Sequence, residues 1–364
     1  MRNLPELAVS ELVTKPMPLQ ELRKWDIFNT IDDNLLLNIR LAHVHGTFGF
    51  LISTVDTAYV IGTGTDGCLG IGHITSALSP VKIDVLTGQL VKEFVISVEE
   101  SCFALTEDGR VFAWGFNSSG QLGIGNTATI TTPQLIHVTG GVKISQLAAG
   151  YTHTLALAMH TGQVFAWGWN GYGQLGQENF NDRNEPGNVE LNPDIKIKQI
   201  SCSGDGSFAL TQCGELYSWG HNIGELGIGI STPTYIPTKV IFHKPIKKVS
   251  NGANHTLVLT TSGELYACGR NAEGQLGMGK TTDVNVLTRV AADLGIIDDI
   301  SSIPWMHQSS AKSMDKTFVW GEINEGLNYY SPTEFKLFNM SRSTSFLKEE
   351  GQFMHKSMCG SNRT

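Results

Sequence analysis

The chain has 364 residues, 41% of them apolar, with 40 glycines, 12 prolines and a net charge of −8. The first 24 residues carry four Lys/Arg against three Glu, and the last 29 carry five against two. That leaves −12 over residues 25–335, a body that repels phosphate backbones and argues against direct nucleic-acid binding. Six scattered cysteines without C-x-x-C or Cys/His spacing argue against a zinc site and a disulfide framework. No stretch approaches the roughly 18 apolar residues of a membrane span, and the first thirty residues show neither a secretory signal nor an acid-poor transit peptide. These features lead us to expect a soluble protein of the cytoplasm or nucleus.

Residues 1–18, with Pro5, Pro16 and Pro18, read as a flexible N-terminal arm. Residues 19–39 turn helical. Leu19, Leu22, Trp25 and Phe28 fall at three-residue steps, and Asp32 or Asp33 can cap a turn built on Leu35, Leu36 and Ile39. This segment is expected to be a helical latch packed on the body that follows.

From residue 40 one sentence repeats. Val111-Phe-Ala-Trp-Gly-Phe-Asn-Ser-Ser-Gly-Gln-Leu-Gly123 returns at Val164 to Gly176, at Leu216 to Gly227 and at Leu265 to Gly277, where Cys268 replaces the tryptophan. Weaker copies run from Tyr59 to Gly70 and from Phe318 to Gly326. The marker glycines Gly62, Gly115, Gly168, Gly220, Gly269 and Gly321 are spaced by 53, 53, 52, 49 and 52 residues. A period near fifty marks a repeat architecture.

Within the third repeat, residues 133–138, 142–149, 154–158 and 164–167 read as four short strands separated by turns. That is the grammar of one propeller blade, whose apolar faces must be buried by neighbouring blades. We therefore expect an all-β fold: a β-propeller of six four-stranded blades over residues 40–338, with seven as the alternative count, preceded by the short helical segment. The first repeat lacks a strand of the Pro133 type and residues 332–338 supply one, so the N- and C-terminal strands are expected to close the ring together. Residues 339–364 show no period and are expected to be a disordered tail.

The repeated residues have structural reasons. Trp114, Trp167, Trp219 and Trp320 fill space between blades, and Asn117, Asn170, Asn222 and Asn271 bond the loop that follows. Gly62-Thr-Gly64-Thr-Asp-Gly67 matches a dinucleotide fingerprint but lies in register with Gly115 to Gly120 and is followed by another β-type repeat, so it is read as structural. His153 and His255 share one repeat position and read as blade-forming hydrogen bonds. No catalytic constellation stands apart from the blade grammar, so no enzyme activity, metal or cofactor is expected.

The motif W-G-x-N-x-x-G-Q-L-G, preceded by G-x-x-H-T-L-A-L, resembles the regulator of chromosome condensation repeat over residues 40–338. Lys24-Trp-Asp-Ile-Phe28, a short helix and then the first repeat are similar to proteins that join such a propeller to a BTB domain. The resemblance implies a non-enzymatic protein-interaction propeller, the target-recognition part of a regulatory or ubiquitin-ligase adaptor. Only 26 residues follow position 338, too few for a BTB fold, so a truncated or alternatively spliced and monomeric product is expected. The family archetype, a seven-repeat exchange factor, implies the alternative: guanine-nucleotide exchange on a Ran-like small GTPase.

Partner contacts are expected at turn positions where the copies disagree. Aligned on Gly150 to His153, one rim reads Glu99-Glu100, Tyr151-Thr152, Gly204-Asp205, Ala253-Asn254 and Trp305-Met306. In the exchange-factor relatives these turns face the GTPase through acidic residues, which singles out Glu100 and Asp205. Tyr151, Asn254 and Trp305 complete the set. Trp169 and Tyr172, with Arg183 and Arg270, are placed on the opposite rim as a second candidate surface.

Overall fold

The computed structural model describes residues 15–290, 294–324, 327–335, 347–349 and 352–354. Strands β1 (Ile39–His45), β2 (Phe48–Ser53), β3 (Ala58–Gly62) and β4 (Ala77–Lys82) pair antiparallel in chain order and form blade 1. The same four-stranded sheet recurs over residues 91–135, 144–188, 197–239, 246–289 and 299–334, giving the six expected blades. Its second strand is buried at every position in blades 1 to 5, because each face is covered, by a neighbouring sheet or, on one face of blade 1, by the N-terminal helical segment. The outer strand is largely exposed.

Every junction between consecutive blades has its own apolar core. Phe50, Val60, Phe94 and Trp114 pack between blades 1 and 2, and Leu257, Ala267, Ile300 and Trp320 between blades 5 and 6. The motif tryptophan fixes each junction as well as filling it. The indole N–H of Trp114 donates to Cys68 O (2.6 Å), Trp167 to Gln121 O (2.8 Å), Trp219 to Gln174 O (2.9 Å) and Trp320 to Gln275 O (2.8 Å), always in the preceding blade's loop. A hydroxyl joins it on three of these carbonyls: Thr154, Ser207 and Ser309. In blade 5 the Cys268 thiol takes the tryptophan's place, 3.5 Å from Glu225 O.

The loop that supplies the carbonyl is held by its asparagine. Asn170 Oδ1 accepts from Leu175 N (2.9 Å), and Nδ2 donates to Asn179 O and Asn181 O; Asn117 and Asn271 do the same. Gly168, at φ +101°, lets the third strand turn beside the preceding hairpin. A Cβ there would stand 2.4 Å from Thr152 O. His153 Nε2 meets Ser207 Oγ at 3.0 Å and His255 Nε2 meets Ser309 Oγ at 2.8 Å, so both buried histidines are bridges to the next blade.

Residues 19–38 form α1 (Leu19–Leu22), a 3-10 turn (Asp26–Phe28) and α2 (Asp33–Leu36). Asp32 Oδ1 caps α2 through Asn34 N at 2.7 Å. Arg23 clasps the intervening turn, donating to Phe28 O, Ile31 O and the Asp33 carboxylate. Leu22, Trp25, Phe28 and Leu36 bury against Leu51 and Ile61 on the face of blade 1 turned away from blade 2.

One expectation needs correction. Residues 327–334 do not pair with the first repeat; they pair with Lys316–Asn324, Phe318 opposite Glu334 and Val319 opposite Thr333. The repeat begins one strand later than the expected phase. Strands of the Pro133 type follow their motif and form the outer strand of the same blade, as Ile130–Leu135 does beside Val111–Gly115. With that phase, blade 1 is complete from its own chain, and residues 336–338 lie outside the described residues. Of residues 339–364, those described form an antiparallel pair, Leu347–Glu349 with Gln352–Met354. Among the described residues no helix is long and apolar enough to cross a membrane.

Candidate protein-interaction site

Antiparallel strands reverse direction, so the third strand of a blade ends where the second began. His153 lies opposite Gly168, His255 opposite Gly269 and Ser101 opposite Gly115. The turn before the second strand and the loop after the third therefore share one face. Six backbone bonds join them: Thr63 N to Thr47 O, Phe116 N to Glu100 O, Trp169 N to Thr152 O, His221 N to Asp205 O, Arg270 N to Asn254 O and Glu322 N to His307 O, at 2.8–3.4 Å. Trp169, Tyr172, Arg183 and Arg270 thus lie on the same face as Tyr151 and Asp205, and the expected second rim is corrected to one. The last blade also shifts by one residue. Gln308 lies opposite Gly321, as His153 lies opposite Gly168, so Met306-His307 matches Tyr151-Thr152, and Trp305 stands one place earlier.

On this face the turns of blades 3 to 6 are tied in series. Tyr151 N donates to Gly204 O (2.7 Å), Gly204 N to Ala253 O (3.2 Å) and Ala253 N to Met306 O (3.0 Å). Beside this series opens a cup of about 540 Å³, lined chiefly by Glu99, Ser119, Tyr151, Trp169, Asp205 and Trp305 from blades 2, 3, 4 and 6. Two glycines seat its aromatic walls. A Cβ on Gly204 would lie 2.7 Å from the Tyr151 ring, and one on Gly171 would lie 2.4 Å from the Trp169 ring. Trp305 leans on His45 of β1, ring centroids 5.2 Å apart. A second cavity of about 370 Å³ is enclosed by residues 161–164, 188–193, 195 and 196 and has no aromatic lining.

Behind the cup the polar groups are linked. Trp169 packs edge-on against Tyr172 (5.2 Å), and Tyr172 against His221 (4.7 Å). His221 Nδ1 is 3.0 Å from Glu225 Oε1, while Glu225 Oε2 accepts from Ile223 N at 2.7 Å. The hydrogen bond to Glu225 raises the His221 pKa above its ordinary value. Burial pushes the Asp205 carboxyl up to about 6, with His221 pulling it down and Glu225 adding to the rise. Asp205 Oδ1 is buried with no hydrogen-bond partner among the described residues. Burial, and then Asp205, raises Tyr151. Among the described residues no group of three or more His, Cys, Asp or Glu is placed to hold a metal ion.

An ionised carboxylate in this setting costs stability, which makes Asp205 a functional candidate. A carboxyl raised in the folded state favours folding below its unfolded pKa near 4, and that contribution is lost as pH rises through about 6. Asp205→Asn is therefore expected to stabilise the fold by about 2 kcal/mol at neutral pH, less than the full shift because part of the group meets solvent. The gain should vanish near pH 4. Melts of both proteins at the two pH values check this, and a variant less stable at neutral pH would contradict it.

The other candidate residues separate. The Glu100 carboxylate accepts from both Thr65 N and Thr65 Oγ1 at 2.8 Å, tying blade 2 to the loop of blade 1. Asn254 occupies the equivalent turn of blade 5 outside the cup lining, and Tyr172 buttresses Trp169 from behind. His221 and Glu225 were missed by sequence reasoning. A signal existed: Glu225 stands where Gln121, Gln174 and Gln275 stand in the other copies.

Blades of this pairing, stapled by a tryptophan to the preceding loop, define a propeller of the chromosome-condensation-regulator type. The RCC1-like domain pattern matches residues 45–328, and the chain belongs to that family. It is 33% identical over 227 residues to the ultraviolet-B receptor UVR8 of Arabidopsis thaliana, covering 62% of this chain and 51% of that one. It is 32% identical over 260 residues to the probable E3 ubiquitin-protein ligase HERC3 of Homo sapiens, covering 68% and 24%. The chain thus spans about half of the first relative and about a quarter of the second. Among solved structures, yeast RCC1 (Prp20) bound to Kap60 superposes with a TM-score of 0.71 at 23% identity, over 89% of this chain and 80% of that one.

Proposed function

We propose that this propeller is a non-enzymatic protein-interaction module that presents the face bearing Tyr151, Trp169, Asp205 and Trp305 to a protein partner. One observation carries the reading: side chains at positions where the repeats disagree, drawn from four blades, converge on a single cup. Strands supply the fold and turns supply the contacts. The aromatic pair Trp169–Tyr172 has the composition and partial exposure of an interface anchor. Likeness to HERC3, described as a probable ubiquitin ligase, favours a role in selecting targets for such a system.

The test is quantitative capture of partners by the full chain and two variants. Trp169→Ala with Tyr172→Ala is expected to lower recovery by about tenfold or more, the loss typical of interface anchors. Val55→Lys, in the exposed β2–β3 turn at the other end of blade 1, should leave recovery unchanged. Equal recovery with all three proteins would refute the assignment of the face. Acceleration of nucleotide release from a Ran-type GTPase by the purified chain would replace this reading with the exchange-factor one.

A further inference from the structure

We propose that the cup seats the cationic end of a lysine or arginine side chain presented by the partner. The inference rests on the interaction reading above and names the chemistry of what docks. Tyr151, Trp169 and Trp305 give the cup three aromatic walls, and Glu99 and Asp205 give it two carboxylates. Aromatic faces attract cations through the ring quadrupole, and a carboxylate at the same depth adds direct pairing. Neither carboxylate forms an ion pair with a described lysine or arginine.

Two cations in the loops of this face are turned to other contacts. Arg270 pairs with Glu273, and the Arg183 guanidinium lies against Gly187. An apolar occupant would leave Asp205 Oδ1 buried and still unpaired, and an anion would be repelled by both carboxylates. A cationic side chain satisfies the walls and the carboxylates together. The net −12 over residues 25–335 draws such a partner in from a distance.

Five of the seven tryptophans, Trp25, Trp114, Trp167, Trp219 and Trp320, are fully buried, so the remaining two, Trp169 and Trp305, report on the cup. The full chain is titrated with N-acetyl-arginine methylamide, N-acetyl-lysine methylamide and the neutral N-acetyl-glutamine methylamide, read by intrinsic fluorescence. A saturable response to at least one cationic amide, about tenfold tighter than to the neutral one, is expected, and which amide binds tighter identifies the side chain. Asp205→Asn, with its fold verified by a cooperative melt, should lose that preference. Binding should strengthen from about pH 5 to about pH 7 as Asp205 ionises, with Glu99, Tyr151, His221 and Glu225 the other titratable groups at or behind the cup.

An equal response to the neutral amide, or an unchanged preference in Asp205→Asn, overturns the proposal. The two readings fail separately. If the Trp169/Tyr172 variant loses partners while no cationic amide binds, the face stands and the cation falls. If cationic amides bind and that variant keeps its partners, the pocket chemistry stands and the docking face falls.

Discussion

Trp167→Ala is expected to destabilise the propeller by about 4 kcal/mol, as emptying a buried tryptophan site does. The indole is fully buried in the core between blades 2 and 3, and its N–H satisfies Gln121 O. Two effects are combined, and a second substitution separates them. Trp167→Phe keeps most of the apolar contact and removes the donor, and Thr154 Oγ1 still bonds Gln121 O, so about 1 kcal/mol is expected from that change. Urea unfolding of the three proteins gives both numbers. A loss under about 1 kcal/mol for the alanine variant would mean that the junction re-packs around the gap, and the staple would not be holding the blades.

Acid is expected to weaken the propeller through its buried histidines, His153 and His255 among them. Both are lowered to about 3, against 6.5 for a free histidine, by burial and, for His255, by His307 as the lesser cause. The folded state holds them neutral, bonded to Ser207 and Ser309, while the unfolded chain protonates them near pH 6.5. Their contribution is thus complete above about pH 6.5 and is lost as pH falls toward 3. Below 6.5 each costs about 1.4 kcal/mol per pH unit, roughly 3 kcal/mol per unit for the pair. Protonation of Asp205 below about 6 offsets part of this, because its neutral form suits the folded state. Melts across pH 7 to 4 should show the decline, and His153→Gln with His255→Gln should make it shallower by roughly the pair's share, with His43 and His45, which burial lowers to about 3 and about 4, keeping the remainder. An unchanged slope would assign the acid sensitivity to other groups.

How far the sequence could be read follows from what a repeat encodes. Trp167, Gly168 and Asn170 recur because successive junctions reuse a donor to the preceding loop, an indole at four of them and the Cys268 thiol at the fifth, with the same close backbone approach and loop brace, so their roles are legible without coordinates. The phase is not. A strand such as Ile130–Leu135 has the same local pattern whichever motif it accompanies, and only the hairpin geometry after Gly115 assigns it to blade 2. The candidate face was half legible. Tyr151 and Asp205 are reached by aligning the repeats, whereas the side on which Trp169 lies follows only from the reversal of direction between the second and third strands, which returns its loop to the Thr152 turn. Trp305 lines the cup although it stands one place before the position aligned with Tyr151. The link from His221 to Glu225 depends on a contact four residues apart across a loop, which no periodicity announces.

The indole bonds all run in one direction along the chain. Trp114 reaches back to Cys68, Trp167 to Gln121, Trp219 to Gln174 and Trp320 to Gln275. The blade with no predecessor has Ile61 at that position, and the latch, made earlier still, covers it. On the ribosome each acceptor therefore emerges before its donor, and no tryptophan of the series waits for a partner not yet translated. The blades can be laid down one upon another at the pace of synthesis, with each arriving sheet meeting a finished surface.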